Sequence, residues 1–129
     1  MNVVVGYVPT PEGESALHHA LEEARGRKAR LLVVNTSRGD ALVDERFADE
    51  GQMNLLRDRL TASGVDHEVI HGIHGRDASE EILSVARDRR ADLIVVGLRR
   101  RSPVGKLILG STGQRVLLEA DCPVLAVKS

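Results

Sequence analysis

The sequence predicts an α/β fold in which an open, parallel β-sheet carries helices on both of its faces. Short apolar runs of strand length alternate strictly with segments of helical periodicity along the chain, and this order is typical of parallel sheets. The core must be aliphatic, because 42% of the residues are hydrophobic but only one Phe, one Tyr and no Trp are present. At 129 residues the chain is long enough for one well-packed core, so we expect a single domain over residues 1–129.

The first half of the chain supplies two strands and two helices. A valine run is broken by Pro9-Thr10-Pro11, and a stripe of alanine and leucine at helical spacing follows it. Gly64 lies just past the second helical segment, where glycine commonly ends a helix. The predicted elements are a strand over Met1–Tyr7, a helix over Glu14–Arg27, a strand over Leu31–Asn35 and a helical segment between Asp40 and Ser63.

The second half continues the alternation and contains the one long connection. Mixed polarity in the third strand favours an edge position, and Asp77 with Glu80 has the spacing of a helix-capping pair. The predicted elements are a strand over Val65–Ile70, a helix over Asp77–Arg90, a strand over Leu93–Val96, a loop over Leu98–Leu109, a helix over Ser111–Glu119 and a final strand over Val124–Val127.

Charge is unevenly distributed. From residue 98 onward six Lys or Arg face two acidic residues, a net +4, whereas the whole chain carries −1 and the first 97 residues therefore −5. A local basic segment on a nearly neutral protein suits a small anionic ligand better than a nucleic acid. The scarcity of aromatic residues also removes the platforms on which single-stranded bases stack. The alternative is a solvated, charged loop.

Other classes of function find little support. Cys122 is the only cysteine, so we expect no internal disulfide and no cysteine-based zinc site. His71 and His74 have a spacing that metal ligands can use, but no third donor accompanies them, and we expect no metal site. No apolar run approaches 18 residues and no basic start precedes an apolar segment, so we predict a cytoplasmic protein without a membrane partner. No catalytic residues are predicted.

The stretch from Ala91 to Lys128 carries the clearest functional pattern. A buried-looking strand stops at Gly97, a basic connection contains Arg99 and Arg100, and Gly110-Ser111-Thr112 opens a helix. Backbone N–H groups at a helix N-terminus and nearby guanidinium groups both favour phosphate. Gly97 could admit a ligand or simply turn the chain out of the sheet. Likewise Ser111 or Thr112 could contact a ligand or cap the helix.

This stretch resembles the C-terminal signature of the universal stress protein family, G-x2-G-x9-G-[S/T]. Gly97 matches its first glycine and Gly110-Ser111 its final pair, whereas Arg100 occupies the place of the middle glycine. The resemblance extends over the chain, through HGIHGRDASEEILSVARDRRADLIVVG and ADCPVLAVK. It implies an adenine-nucleotide alpha-hydrolase-like sheet of five parallel strands in the order 3-2-1-4-5. Ligands of such sheets bind beyond the carboxyl ends of the strands, where the strand order reverses.

The same resemblance implies a ligand and a partner. Nucleotide-binding members wrap ATP in this crevice, and members commonly dimerise by pairing their last strands, which here would use Val124, Leu125, Ala126 and Val127. Members often place D-G-S after the first strand, but Val8-Pro9-Thr10 stands there in this chain. A carboxylate that could help hold a metal-bound nucleotide is therefore missing.

These observations lead to an expected function with one alternative. The expected protein is a cytoplasmic stress-response homodimer that binds ATP or another adenine nucleotide with little or no turnover. In it Leu32 and Val34 wall the base, and the phosphates are contacted by Gly97, Arg99, Arg100, Gly110, Ser111 and Thr112. The alternative is a protein–protein interaction module of the same fold that does not bind nucleotide. The complete set of predicted nucleotide contacts is Tyr7, Val8, Pro9, Leu32, Val34, Val96, Gly97, Arg99, Arg100, Gly110, Ser111 and Thr112.

Overall fold

A computed structural model describes residues 1–36, 50–71, 77–101, 106–108 and 110–129, without the side chains of 99–101 and 106–108. Strands and helices alternate through most of this length, as the sequence predicts. The elements are β1 (Asn2–Tyr7), α1 (Pro11–Arg27), β2 (Arg30–Asn35), α2 (Glu50–Ser63), β3 (His67–His71), α3 (Ala78–Asp88), β4 (Leu93–Arg101), β5 (Lys106–Ile108), α4 (Ser111–Glu119) and β6 (Val124–Lys128). The part of the predicted second helix before Glu50 lies outside the described residues.

Five strands form the parallel sheet in the order β3-β2-β1-β4-β6. This is the predicted order 3-2-1-4-5, with β6 as the fifth strand of that scheme. The register places Val5 between Val33 and Val95, so the N-terminal strand lies at the centre of the sheet. Its buried valines have neighbouring strands on both edges, as the near-continuous apolar sequence of parallel strands requires.

The predicted loop over Leu98–Leu109 is wrong for most of its length. Strand β4 does not stop at Val96 but continues through Arg101, and β5 pairs with it in antiparallel register, Arg100 opposite Leu107. Gly97 and Leu98 still pair with β6, so the glycine lies within the sheet. The sequence masked this extension, because three consecutive arginines interrupt the apolar pattern by which strands are recognised.

The core consists of two layers, one on each face of the sheet. The layer between the sheet and helices α1 and α2 is built from buried aliphatic residues such as Leu17, Val33 and Leu56, together with Tyr7. The opposite layer packs α3 and α4 against the sheet through residues such as Ile82. Both layers are aliphatic, as the composition predicts. In the described part of the chain, no helix combines the length and apolar content needed to cross a membrane.

Helix boundaries follow their capping residues. Helix α1 begins at Pro11, earlier than the predicted Glu14, because Thr10 is the N-cap and proline is well suited to the first helical position. Helix α2 ends at Ser63, before Gly64 with a φ of 76°. Strand β3 begins two residues later than predicted, since Val65 and Asp66 belong to the turn after α2.

Candidate functional site

Three described helix N-termini lie at the carboxyl edge of the sheet, because each helix runs antiparallel to the strands that it connects. Two of them are closed by a side chain. The Thr10 hydroxyl accepts a hydrogen bond from the Gly13 amide at 3.2 Å, and the Asp77 carboxylate accepts one from the Ser79 amide at 2.9 Å. In α1 and α3 the exposed helical N–H groups are therefore partly satisfied within the chain.

Helix α4 starts differently. Its N-cap is Gly110, and no side chain forms a capping hydrogen bond there. Ser111 and Thr112 occupy the first two helical positions, so the alternative in which one of them caps the helix is wrong. Gly110 has a φ of −63°, which any residue can adopt, and a Cβ added to it would meet nothing within 4 Å among the described residues. The backbone therefore does not require glycine at this position, and no described side chain closes the helix terminus.

Gly97 lies where β4 meets the start of α1. A Cβ on this residue would approach the backbone oxygen of Glu12 to 2.2 Å, closer than real contacts allow. The sequence suggested that Gly97 either admits a ligand or turns the chain out of the sheet, and neither role describes this contact. The residue does not turn the chain, and on this face the missing side chain makes room for a helix rather than a ligand.

A second close contact joins the end of β1 to α1. The backbone oxygen of Val8 accepts a hydrogen bond from the Thr10 amide at 2.8 Å, and a Cβ on Gly13 would lie 1.8 Å from that oxygen. The first turn of α1 therefore sits directly on the ends of β1 and β4. Val8 and Pro9 are half-buried at the predicted crevice.

Tyr7 is held away from the crevice opening. Its ring packs in the α1 layer with 4% of its surface exposed, and its hydroxyl donates to the Glu14 carboxylate at 2.6 Å. Arg59 of α2 donates to the same carboxylate at 2.9 Å. Burial, followed by the hydrogen bond to Glu14, raises the pKa of Tyr7. Burial opposes ionisation of Glu14, but hydrogen bonds from Arg59 and Tyr7 outweigh it and lower the pKa of Glu14.

The residues expected to wall a base do not reach the surface. Leu32 and Val34 are completely buried, and Val96 nearly so, in the layer beneath α3. Their side chains fill the core between sheet and helix, contrary to the expectation that Leu32 and Val34 line an open crevice. The sequence alone could not separate these roles, because a base-contacting strand and a core strand are both aliphatic.

Two polar residues at the carboxyl edge of the sheet were not predicted from the sequence to belong to the site. Asn35 ends β2 directly beside Tyr7 in the sheet register, and the Thr36 amide donates to the Tyr7 carbonyl at 3.2 Å. Both side chains are buried. The available signal was the change from four apolar residues to two polar ones at the end of a buried strand, a position where open α/β sheets bind ligands.

Arg115, one turn into α4, ties that helix to α3. Its guanidinium donates to Glu119 at 2.8 Å, to the Ser79 hydroxyl at 3.3 Å and to Glu80 at 3.4 Å. Hydrogen bonds to Glu119 and then to Glu80 raise the pKa of Arg115. The open N-terminus of α4 is thus fixed beside the closed N-terminus of α3.

The predicted phosphate contacts Arg99 and Arg100 have side chains outside the described part of the structure. Their backbone belongs to the two-stranded extension formed by β4 and β5. Among the described residues, no group of three or more His, Cys, Asp or Glu side chains is arranged to hold a metal ion.

A groove of about 200 Å³ lies at the opposite, amino edge of the sheet. It separates the C-terminal ends of α3 and α4 and is lined by Leu83, Arg90 and Cys122, among others. Burial, with Asp92 and Asp121 nearby, raises the pKa of the Cys122 thiol. The thiol therefore stays protonated, and it packs as a small apolar group against the α3 layer.

The last strand has one free edge within the described sheet, where β6 pairs only with β4. Val124, Leu125 and Ala126 are partly exposed, whereas Val127 is buried. On the neighbouring helix α4, Leu118 is 85% exposed. An apolar side chain beside a free strand edge is a feature of surfaces that bind another chain.

The strand order of the parallel sheet reverses between β1 and β4, and the N-terminus of α4, which has no described side-chain cap, lies at the same edge. These features define the class of open-sheet α/β proteins. The family model described as "Universal stress protein family" matches residues 1–128. A universal stress protein of Mycolicibacterium smegmatis is 48% identical over 126 residues, which cover 98% of this chain and 96% of that protein. The chain belongs to the universal stress protein family.

Solved structures agree with this assignment. A universal stress protein from Archaeoglobus fulgidus superimposes with a TM-score of 0.80 at 29% identity, over 99% of this chain and 98% of the other. A structure of the universal stress protein from the same organism in complex with dAMP gives a TM-score of 0.74 at 26% identity, with 99% and 98% coverage. The predicted family and fold class are confirmed.

Proposed function

We propose that this stress protein binds an adenine nucleotide, ATP or a smaller relative, at the carboxyl edge of its sheet. The observation that carries the proposal is the open N-terminus of α4, where Gly110 provides no side-chain cap. Uncapped N–H groups and the helix dipole stabilise a phosphate. The similar A. fulgidus protein in complex with dAMP supports an adenine nucleotide as the ligand.

Fewer residues contact the nucleotide in this proposal than the sequence predicts. Gly110, Ser111 and Thr112 face the phosphates with their backbone and hydroxyl groups, and Arg99 and Arg100 add positive charge. Val8 and Pro9 flank the nucleotide at the end of β1. Leu32, Val34 and Val96 support the site from within the core, and Tyr7 holds α1 in place from beneath.

Turnover is slow or absent in this proposal. Two described carboxylates near this edge have structural partners, since Glu14 accepts from Tyr7 and Arg59 and Asp77 caps α3. A carboxylate whose pKa is lowered is also a poor general base at neutral pH. Incubation with ATP should release phosphate no faster than a buffer control.

Calorimetric titration with ATP, AMP and cyclic AMP tests binding. Gly110→Asp should lower the affinity by about tenfold or more, because a carboxylate competes with phosphate for the same N–H groups. Gly26→Asp is the matched control: it adds the same charge on α1, and a Cβ there meets nothing within 4 Å. No heat with any of the nucleotides at millimolar concentration would refute the proposal.

The second candidate is a protein–protein interaction module without nucleotide. Two departures from the family pattern favour it, namely Val8 at the usual aspartate and Arg100 at the middle glycine. Arg100→Gly separates the candidates. A gain in ATP affinity would indicate that the arginine obstructs the pocket and would favour the interaction module. A loss would indicate that its charge holds the phosphates and would favour the nucleotide-binding protein.

We also propose that two copies pair through β6. The free edge of Val124–Lys128 and the exposed Leu118 support this partner. Leu118→Glu should weaken the dimer measured by sedimentation equilibrium, because it places a charge at the apolar surface. Leu55→Glu is the control, since Leu55 is also exposed but lies on α2, whose Arg57 contacts His71 of β3.

A further inference from the structure

The backbone of β6 alternates between its partner strand and its free edge. The Ile94 amide donates to the Pro123 carbonyl at 3.0 Å, and the parallel register places Ile94 opposite Val124. In a parallel ladder the groups of alternate residues point to the same side. Leu125 and Val127 therefore face β4, and the amides and carbonyls of Val124, Ala126 and Lys128 point to the free edge.

One of these outward carbonyls already has a partner. The Ser15 hydroxyl of α1 donates to the Lys128 carbonyl at 2.6 Å. Ser15 belongs to the first turns of the helix that sits on the ends of β1 and β4, so its position is fixed by the close contacts at Gly13 and Gly97. The last outward residue of the edge is thus covered by a side chain of the same chain.

This contact bears on the register in which two copies can pair antiparallel. With the two-fold axis at Ala126, the Val124 amide of each copy must reach the Lys128 carbonyl of the other. With the axis at Leu125, only Val124 and Ala126 exchange hydrogen bonds, and Lys128 stays outside the ladder. The first register is longer, but it requires the Lys128 carbonyl to accept a second hydrogen bond beside the one from Ser15.

We infer that Ser15 sets the pairing register of the dimer, directing the two-fold axis to Leu125 by holding one of the two acceptor positions of the Lys128 carbonyl. The inference rests on the proposed dimer through β6 and adds the residue that determines its geometry. A serine in this role also shortens the exposed edge, a device by which proteins limit pairing with further chains.

Disulfide trapping distinguishes the two registers. Across an antiparallel ladder, residues directly opposite have Cα atoms about 4.5–5.5 Å apart, within disulfide range, whereas diagonal neighbours lie beyond it. In a Cys122→Ser background, Leu125→Cys should therefore cross-link and Ala126→Cys should not. Adding Ser15→Ala should reverse this preference, by about fivefold in yield or more, whereas Ser15→Thr, which keeps the hydroxyl, should leave it unchanged.

Sedimentation equilibrium of the same proteins separates this inference from the proposed dimer. Ser15→Ala should tighten the dimer by about tenfold, since the dimer gains one further hydrogen-bonded pair of residues. A dimer whose cross-linking pattern is unaffected by Ser15→Ala refutes the role of Ser15 alone. If every protein is a monomer, or a dimer that traps at neither position, pairing through β6 is refuted, and the role of Ser15 with it.

Discussion

The N-termini of α1 and α3 contrast with that of α4, although all three lie at one edge of one sheet. Thr10 and Asp77 close the first two with hydrogen bonds of 3.2 and 2.9 Å, whereas Gly110 leaves the third open. Helix α1 is also packed so tightly that glycine is required at Gly97, whereas a Cβ added at Gly110 would meet nothing within 4 Å among the described residues. Two of the termini are therefore stabilised by a side-chain cap, and the third has no such cap in the described part of the chain.

The difference gives the two signature glycines opposite physical roles. Gly97 is needed by the fold, because the backbone of α1 occupies the space of its missing side chain. At Gly110 the backbone has a φ that any residue adopts, and a Cβ added there would meet nothing within 4 Å among the described residues. One family motif thus contains a glycine that the packing of α1 requires and a glycine that no described contact requires, which a single sequence does not distinguish.

The largest expected effect comes from filling the space at Gly97. Gly97→Ala should lower the free energy of unfolding by about 3 kcal/mol or more, because the added methyl overlaps backbone rather than a flexible side chain. Urea denaturation measures the loss. In the control Gly26→Ala, the new Cβ meets nothing, and stability should rise by about 0.5–1 kcal/mol through helix propensity. Equal stability of the two variants would contradict the packing argument.

Tyr7→Phe tests the support beneath α1 and should cost about 1.5 kcal/mol, the low end for a hydrogen bond to a charged group, because Glu14 is partly exposed. Because the pKa of Glu14 is lowered, its carboxylate stabilises the fold above pH 4.5, and this stabilisation is lost on acidification. Because the pKa of Tyr7 is raised, its protonated hydroxyl stabilises the fold below pH 10.0, and this stabilisation is lost as the pH rises. The difference in free energy of unfolding between wild type and Tyr7→Phe should therefore be constant between these limits and smaller outside them. Urea titrations at a series of pH values measure it.

Asp77→Ala makes the start of α3 resemble that of α4. It should destabilise the protein by about 1 kcal/mol, because the Ser79 amide loses its partner. Asp77→Asn keeps the cap and serves as the control in the same denaturation experiment. A loss in both variants would point instead to the ion pair of Asp77 with Arg115, whose atoms lie 3.8 Å apart.

The smallest effect is expected from the reverse change at α4. Gly110→Ser supplies the missing cap and should raise stability by only about 0.3 kcal/mol, since glycine is itself a tolerated N-cap. Differential scanning calorimetry can follow the small rise in melting temperature. A marked destabilisation would mean that the terminus is not open in solution.

Much of the fold could be predicted, because periodicity reports how each element packs. The α/β order and the cap at Asp77 follow from patterns within a few residues, and the family signature supplied the strand order. The extension of β4 through Arg101 was missed, since its pairing with β5 does not depend on an apolar pattern. The contacts of Gly97 with Glu12 and of Ser15 with Lys128 join residues far apart in sequence, and no local signal announces them.

The central position of β1 has a consequence for how the protein is made. Its neighbour β2 follows within a few dozen residues, but its other neighbour, β4, begins only at Leu93. On the ribosome a half-sheet of β3, β2 and β1 can form while one edge of the central strand still lacks its partner. During that interval the valine run of β1 is an exposed edge strand, the type of segment most prone to pair wrongly. A strand that is paired on both edges in the finished protein is therefore vulnerable during its synthesis.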